Sequence, residues 1–540
     1  MVCGSAQSRK AQVLHTESDP PPTLAHALRA RALADPMAPV FLQDHHVTCY
    51  HELCSGAEAL ANFLIGEGLE PGSRVALLLD NSPDYATAYF GALWAGAVVV
   101  PMACAAKAPE LLHRLTHAQA HWLITPPDHP ALASIRRQSH PRLRFLAIDE
   151  VPPLGPSPDP ARGCFVSNAA PGHTPIRAAA TDWAVLMYTS GTTAKPKGVM
   201  HSHRNLVSNA LAINDYLRLA HDDRTLCILP FHYAFGSSLL HTHVVAGASL
   251  VLVNAPAYPA LWAEAIARHA VTGFSGVPAA YALLLDRVDP DRCDLSSLRY
   301  FSQAGGAMKP AMIERIRRAA PHAEFFVMYG QTEATARLTY LPPAQWEAKQ
   351  GSVGIPIPGV RIEVRNTAGQ RVPSGALGEV WAHGPNVMLG YWKDETLSRG
   401  VLRDGWLRTG DIGYMDEDGF LFLRGRASEI IKSGAHRICP EEIEEVIANI
   451  DGVKEVAVIG VDDEMFGQAI RALVVPQPSV ALTRRDVVHH CRLLLPKFKI
   501  PKQIHFMTGL PRTTSGKVSR ALLKRRAIGD TDHADSRELP

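Results

Sequence analysis

From Ala86 to Ala106 the chain reads ATAYFGALWAGAVVVPMACAA, a run without one charged side chain. A segment of this length without charge either crosses a bilayer or lies inside a protein. Gly96 and Pro101 decide between the two, because they divide the run into a helix-like YATAYFGALWAG and a short β-branched AVVVP. A buried helix feeding a buried strand is the pattern of layered α/β folds.

The surrounding sequence agrees. From TLAHALRARALA onward, amphipathic helical stretches alternate with short apolar runs such as RVALLLD (Arg74 to Asp80) and HWLIT (His121 to Thr125), as α/β layers require. A stretch rich in Pro, Gly, Ser and Ala, about Pro152 to Thr181, reads as an irregular loop. Four apolar runs follow: RTLCILP ending at Pro230, VTGFSGVP at Val271, LRYFSQAGG at Leu298 and EFFVMYGQTE at Glu324. Each ends in glycine or polar residues, and in doubly wound sheets such ends converge on the ligand site. From about Gly351 short runs with turn signals (GVRIEVRNTAGQ, GFLFLRGR) predict a small β subdomain. The last unit begins near Gly425. Its first helix has Pro440 at the first helical position, Glu441 and Glu442 in the first turn, and Ile443, Val446, Ile447 and Ile450 on one face.

At 540 residues the chain exceeds one hydrophobic core and implies at least two domains. A formal charge of +2 lacks the basic footprint of a nucleic-acid binder. The one basic cluster, KVSRALLKRR from Lys517 to Arg526, reads as a solvated helix face. Nine cysteines without a CxxC pair imply reduced thiols rather than a disulfide framework. The histidines of HSH (His201 to His203) and HTH (His241 to His243) lack further ligands at zinc spacing. The first residues, polar up to about Pro22, read as a loose leader without the apolar core of a signal peptide, and "RELP" at the end is no peroxisomal address. The expected location is cytoplasmic.

Tyr188 to Val199, YTSGTTAKPKGV, is dense in hydroxyls, glycines and lysines behind an apolar strand. It does not match the Walker spacing at a strand-to-helix turn. Its groups suit β and γ phosphates, although a Ser/Thr/Gly/Lys run is also ordinary surface linker.

Five further runs change that balance: LPFHYAFG (Leu229 to Gly236), MYGQTEAT (Met328 to Thr335), GWLRTGDIG (Gly405 to Gly413), GRASEIIKSGAHRICPEEIE (Gly425 to Glu444) and LPRTTSGKVSR (Leu510 to Arg520). Together with the first, and in this order, they resemble the adenylate-forming superfamily of acyl-CoA synthetases, peptide-synthetase adenylation domains and firefly-type luciferases. The likeness covers about Thr23 to Leu523. It implies an α/β fold with a large N-terminal domain (23–427) of layered sheets and a β subdomain, then a small mobile α+β C-terminal domain (428–540), behind the leader 1–22. It also implies a two-step reaction. A carboxylate attacks the α-phosphate of ATP to give acyl-AMP and pyrophosphate, and a thiol then displaces AMP.

The resemblance carries over residue by residue. Thr189, Ser190, Gly191, Thr192, Thr193 and Lys197 clasp the leaving phosphates. Tyr329 stacks on adenine, with Gly305, Gly306 and Ala307 on the other face and Gly330 and Gln331 beside it. Thr332 and Glu333 meet the α-phosphate and Mg²⁺, Asp411 accepts the ribose hydroxyls, and Arg426 contacts the ribose or phosphate near the interdomain hinge. Lys517 bridges the carboxylate and α-phosphate, neutralising two anions that repel as they approach. His232 stands between acyl pocket and thiol tunnel, and Lys432, Gly434 and Ala435 border the path of coenzyme A. Taken singly, these are also a core tyrosine, a helix start, a turn aspartate, a surface lysine and a core histidine.

Tyr233 follows His232 where amino-acid-activating relatives place an aspartate, which disfavours an α-amino acid substrate. Small residues at Ala234, Gly236, Gly276, Ala304 and Gly305, with Phe235, Val277 and Tyr281 as walls, suggest a lipophilic acid, fatty or aryl. Three positions depart from the family: Ala194 and Ala435 stand where glycine is usual, and Ser428 where Asp or Lys is preferred at the hinge. The expected reactants are ATP with Mg²⁺, a carboxylic acid and coenzyme A. An acyl carrier protein is an alternative thiol donor, oxygenation of the adenylate as in luciferases is a further alternative, and the assembly is a monomer or homodimer.

Overall fold

The computed structural model describes residues 21–139, 141–150, 174–189, 197–255, 257–288, 293–433, 436–463, 467–478, 480–512, 518–520 and 522–524. The uncharged run becomes the helix Pro83–Trp94 followed by the strand Val98–Pro101, all four of whose residues are buried. Ser82 caps the helix by accepting a hydrogen bond from the Tyr85 amide, and Pro83 takes the first turn. Gly96 turns the chain between them with φ of +81°, a left-handed conformation that glycine adopts at low cost. Among the described residues no helix is long and apolar enough to cross a membrane.

Two large sheets carry the N-terminal part. One has seven strands in the order Gly390–Tyr391, Lys197–Ser202, Trp183–Thr189, Val98–Pro101, Arg74–Leu77, Trp122–Thr125 and Arg144–Ala147. The other has nine, with Glu324–Tyr329, Tyr300–Gln303, Gly273–Gly276, Arg224–Cys227 and Ser249–Leu252 running parallel at its centre. A single hydrophobic core joins Val99 and Ile124 of the first sheet to Phe274 and Phe301 of the second through helical residues such as Leu53, Tyr89 and Leu93. The expected layering of helices and sheets is therefore observed.

The β subdomain is a five-stranded sheet in which Arg361–Arg365, Gly378–His383 and Trp406–Met415 are neighbours and Leu421–Arg426 pairs with Trp406–Met415. A separate five-stranded sheet built on Val453–Asp463 and Gly467–Pro476 forms the C-terminal unit. The helix Pro440–Ala448 packs on it with Ile443 and Ile447 buried, as its apolar face requires.

The reading of the terminal basic cluster needs one correction. Arg520 is not a solvated side chain; it pairs with Glu441 at 3.0 Å and Glu444 at 2.8 Å and also contacts Glu429. Carboxylates far away in sequence draw it in, so local composition is misleading there. The leader and most of the Pro/Gly-rich stretch lie outside the described residues.

Candidate active site

The central strands of the nine-stranded sheet end side by side. Their C-terminal ends deliver His232, Gly276 and Val277, Ala304 and Gly305, and Tyr329 and Gly330 to one region of the molecule. Gly305, Gly306 and Ala307 are exposed there, and a methyl group on Gly305 would lie 3.2 Å from Val277. Gly330 has no substitute, since a Cβ would stand 1.9 Å from the Ala336 carbonyl oxygen. Gly236 is equally constrained, with 2.1 Å to the Pro230 carbonyl oxygen. These glycines let the loops beyond the strands fold back tightly against the sheet.

On one side of the Tyr329 strand end stands a paired charge. The phenol of Tyr329 donates to Asp411 Oδ2. Arg426 Nε contacts Asp411 Oδ1 at 2.7 Å, directly across the strand pair on which Asp411 and Arg426 are register partners. Asp411 is buried, and its amide donates to the Thr409 hydroxyl at 3.1 Å. Burial raises the Tyr329 pKa well above its ordinary value, and the Asp411 charge adds to the effect. Burial opposes the charge of Arg426, yet Asp411, Tyr329, Glu333 and Glu429 together outweigh it and hold that guanidinium above its usual range. Both carboxylate oxygens are thus engaged, and the remaining lone pairs of each can still accept hydroxyl donors.

Next to it, the short turn Thr332–Ala334 presents Glu333. Tyr391 donates its phenol to Glu333 Oε1 at 2.9 Å, and the Glu333 carbonyl accepts from the Met388 amide at 2.9 Å. Burial, and then the Glu333 charge, raise the Tyr391 pKa. The Lys197 ammonium lies 5.4 Å from the centre of the Tyr391 ring, within cation–π range. The two strands Trp183–Thr189 and Lys197–Ser202 form an antiparallel hairpin in which half-buried Thr189 pairs with Lys197. The hydroxyl-rich run therefore joins strand to strand, not strand to helix, and its base is tied to Glu333 through Tyr391. His201 of the same hairpin binds the Thr332 carbonyl through Nε2 at 2.7 Å, which requires the proton on that nitrogen. Burial pushes this imidazole down to about 4, so it acts as a neutral donor.

The residues expected to meet the acid have different surroundings. His232 lies against Tyr233 with ring centres 4.3 Å apart and the planes tilted by 49°, and burial, then the Arg114 charge, push its pKa down to about 4. Phe235, in the first turn of the helix Ala234–Ala246, packs against both N-terminal cores, one of which contains Ala304. Over its ring, at 3.9 Å, lies the guanidinium of Arg337.

Residues 28–392 match the model of the AMP-binding enzyme family, and 442–517 match its C-terminal domain. The chain belongs to the AMP-binding enzyme family. It is 33% identical over 501 residues, 92% of its length and 97% of the relative's, to a feruloyl-CoA synthase from Amycolatopsis sp. It is 32% identical over 527 residues, 92% and 93% of the two lengths, to a long-chain-fatty-acid–CoA ligase from Yersinia pestis. Among solved structures, o-succinylbenzoate CoA synthetase from Bacillus subtilis with its acyl-adenylate intermediate superposes with a TM-score of 0.82 at 28% identity, covering 96% of this chain and 99% of that one. ATP-bound MatB from Rhodopseudomonas palustris gives 0.83 at 30% identity, over 93% and 98%.

Of the AMP-binding residues expected from sequence, the structure brings together Thr189, Lys197, Tyr329, Thr332, Glu333, Asp411 and Arg426. Gln331 is beside them with a buried amide nitrogen that has no hydrogen-bond partner. Lys432 is exposed on the strand Ile431–Ser433. Ser190, Gly191, Thr192, Thr193, Ala194, Gly434, Ala435 and Lys517 lie outside the described residues. Sequence reasoning missed Tyr391, His201, Asn386 and Arg337. Tyr391 follows Gly390 in MLGYW, and that polar aromatic beside a glycine was the one local signal.

Proposed function

We propose that this AMP-binding enzyme is an acid–thiol ligase that converts a carboxylic acid, ATP and coenzyme A to acyl-CoA, AMP and pyrophosphate. The carrying observation is the adjoining of two polar chains at one strand end: Tyr329–Asp411–Arg426 and Lys197–Tyr391–Glu333. The first suits a nucleoside, with Asp411 accepting ribose hydroxyls and the Tyr329 ring against the base. The second suits a polyphosphate, with the Thr189–Lys197 hairpin about the leaving phosphates. One carboxylate, Glu333, with acceptor capacity left beside the Tyr391 bond, fits a magnesium ion that is held chiefly by phosphate and water oxygens. Such an ion would neutralise charge on the phosphates.

In the first half-reaction an acid oxygen attacks the α-phosphorus and pyrophosphate leaves. Lys517 offsets the repulsion between the two anions. In the second, a thiolate attacks the acyl carbonyl and AMP departs. A hinge near Ser428, at the boundary between 23–427 and 428–540, serves the change between them. Lys432, Gly434 and Ala435 border the thiol's approach, and neutral His232 marks the boundary between acid and thiol. The setting is cytoplasmic. The relatives are named for an aryl acid, a fatty acid and, in one ligase from Cupriavidus necator, sulfoacetate, so the acid is a question for the pocket of this chain.

The test is AMP release with ATP, coenzyme A and a panel of acids. Turnover dependent on both acid and thiol supports the reading; acid-independent turnover overturns it. Lys517→Ala should abolish acid-dependent pyrophosphate exchange and leave ATP binding intact, and near wild-type exchange would remove Lys517 from its assigned role.

A further inference from the structure

Arg337 is 2% exposed, which places it among the largest fully buried side chains of the protein. An arginine stays protonated at any physiological pH and offers five N–H donors. Here its contacts are all neutral. Nε donates to the Met328 sulfur at 3.3 Å, the guanidinium also bonds the Tyr216 phenol, and it lies 3.9 Å over the Phe235 ring. No carboxylate among the described residues figures in the charges acting on it. A thioether is a weak acceptor and a phenol ring a modest partner, so the charge is left largely uncompensated in a region of low polarisability. An isolated buried cation is costly, and removing the anion from a buried pair costs several kcal/mol for the same reason.

The chain nevertheless holds Arg337 in place. Its carbonyl accepts from Asn209 Nδ2 at 3.0 Å and from Asn386 Nδ2 at 2.9 Å. Thr335, two residues earlier, adopts φ of +65°, and its hydroxyl donates to the Asn386 carbonyl at 2.7 Å. That turn sends Glu333 and Arg337, four positions apart, to different parts of the site: Glu333 to Tyr391 and the phosphate hairpin, Arg337 to the face of Phe235. Phe235 is a wall of the acyl pocket in the ligase reading, and on that reading a cation without an anion sits where the far part of the acid would lie.

We propose that Arg337 selects acids carrying a second anionic group, a carboxylate or sulfonate, at the end remote from the carboxyl that is adenylated. This deepens the ligase reading and rests on it. The acid's apolar body packs on Phe235, Val277 and Ala304, and its distal anion gives the guanidinium the charged partner that Met328, Tyr216 and Phe235 do not. Two oxygens of a carboxylate or of a sulfonate can meet the arginine fork together, which a lysine ammonium in its place could not match. The same cation disfavours plain fatty acids, because an alkyl end would be pressed against an unpaired charge.

The experiment pairs a ladder of straight-chain and aryl diacids or sulfo-acids with monoacids of matching length. AMP release with coenzyme A is measured for wild type, Arg337→Met and Arg337→Lys, and thermal-shift binding of the same acids is measured with ATP present. The expected result is a kcat/KM preference of about a hundredfold for the best dianion over its matched monoanion. Arg337→Met should erase or invert it with the KM for ATP unchanged, and Arg337→Lys should keep part of it. The thermal shift should follow the same order. A wild type that favours monoanions, or a preference that survives in Arg337→Met, overturns the inference while leaving the ligase reading intact. If no acid of either series supports AMP release, the ligase reading fails; dianion-specific thermal stabilisation that disappears in Arg337→Met would then still support the role of Arg337, and its absence would overturn it.

Discussion

Two consecutive residues at the end of one strand, Met328 and Tyr329, face opposite kinds of charge. Tyr329 touches Asp411, a buried carboxylate already matched by Arg426. Met328 touches Arg337, a buried guanidinium with a sulfur, a phenol and a benzene ring for company. The proposed nucleotide half of the site is therefore charge-matched within the chain, whereas the proposed acid half lacks one anion. A ligand that all adenylating enzymes share is met by a pre-paired carboxylate, and the ligand that differs among them is met by an unpaired charge. The contrast separates what the fold supplies for the reaction from what this chain supplies for selectivity.

The most forceful way to break the contrast is acid. His201, His203, His241 and His243 are all buried, with burial pushing their pKa values down from 6.5 to about 4, 4, 3 and 4. His241 binds Tyr89 and Ser237, and His243 binds Thr225 and the Leu239 carbonyl, so each is held as a neutral ring. Above pH 6.5 these rings are neutral folded or unfolded. As pH falls from 6.5 toward 4 the unfolded chain takes up protons that the folded one does not, and stability falls by up to about 1.4 kcal/mol per pH unit for each histidine. Chemical denaturation across that range should show the loss. A stability flat between pH 6.5 and 4 would contradict the neutral burial of these rings.

Removing the matched carboxylate comes next. Asp411→Ala strands the buried Tyr329 phenol and frees Arg426, and should destabilise the protein by about 1–3 kcal/mol while depressing kcat/KM for ATP. Arg337→Met has the opposite sign. Exchanging a buried, anion-free cation for an apolar chain of similar length should raise the ligand-free protein's stability by about 1–2 kcal/mol. The two denaturation midpoints, measured side by side, sharpen the comparison directly; a shift of the same sign in both would remove its basis.

The same two residues mark how far the sequence was legible. Asp411 stands in GWLRTGDIG and Tyr329 at the end of EFFVMY, and both are placed by strands whose apolar runs end in glycine or polar residues. The parallel strands and the convergence of their ends were readable for the same reason: burial on both faces writes a continuous apolar run, and the site lies where it stops. Arg337 stands in TEATARLTY, where an arginine locally implies a surface. Its burial is made by the turn at Thr335 and by Asn386 and Asn209, residues distant in sequence. Tyr391 reaches Glu333 only because Gly390 and Tyr391 pair with Met200 and Val199 at the sheet edge. Arg520 likewise meets carboxylates brought by the fold, not by its neighbours. Single-residue electrostatics over long sequence separations is the part that pattern cannot supply.

The smallest test sharpens the nucleotide half from within. Tyr391 donates to Glu333 while its ring faces Lys197, so one side chain couples the phosphate hairpin to the proposed magnesium carboxylate. Tyr391→Phe keeps the ring and the cation contact and removes only the hydroxyl. The loss should be that of a single hydrogen bond, about 0.5–1.5 kcal/mol, read as a rise of a few fold in the magnesium requirement of pyrophosphate exchange, with the KM for the acid unmoved. Tyr391→Leu, which also removes the ring, should in addition weaken the grip of Lys197 and raise the KM for ATP. If both variants behave alike, the ring does not transmit between hairpin and carboxylate, and the nucleotide half is two independent contacts. If they separate, the hairpin and Glu333 are one coupled device, and the acid half, where Arg337 meets no such partner, is the side of the site that only a substrate completes.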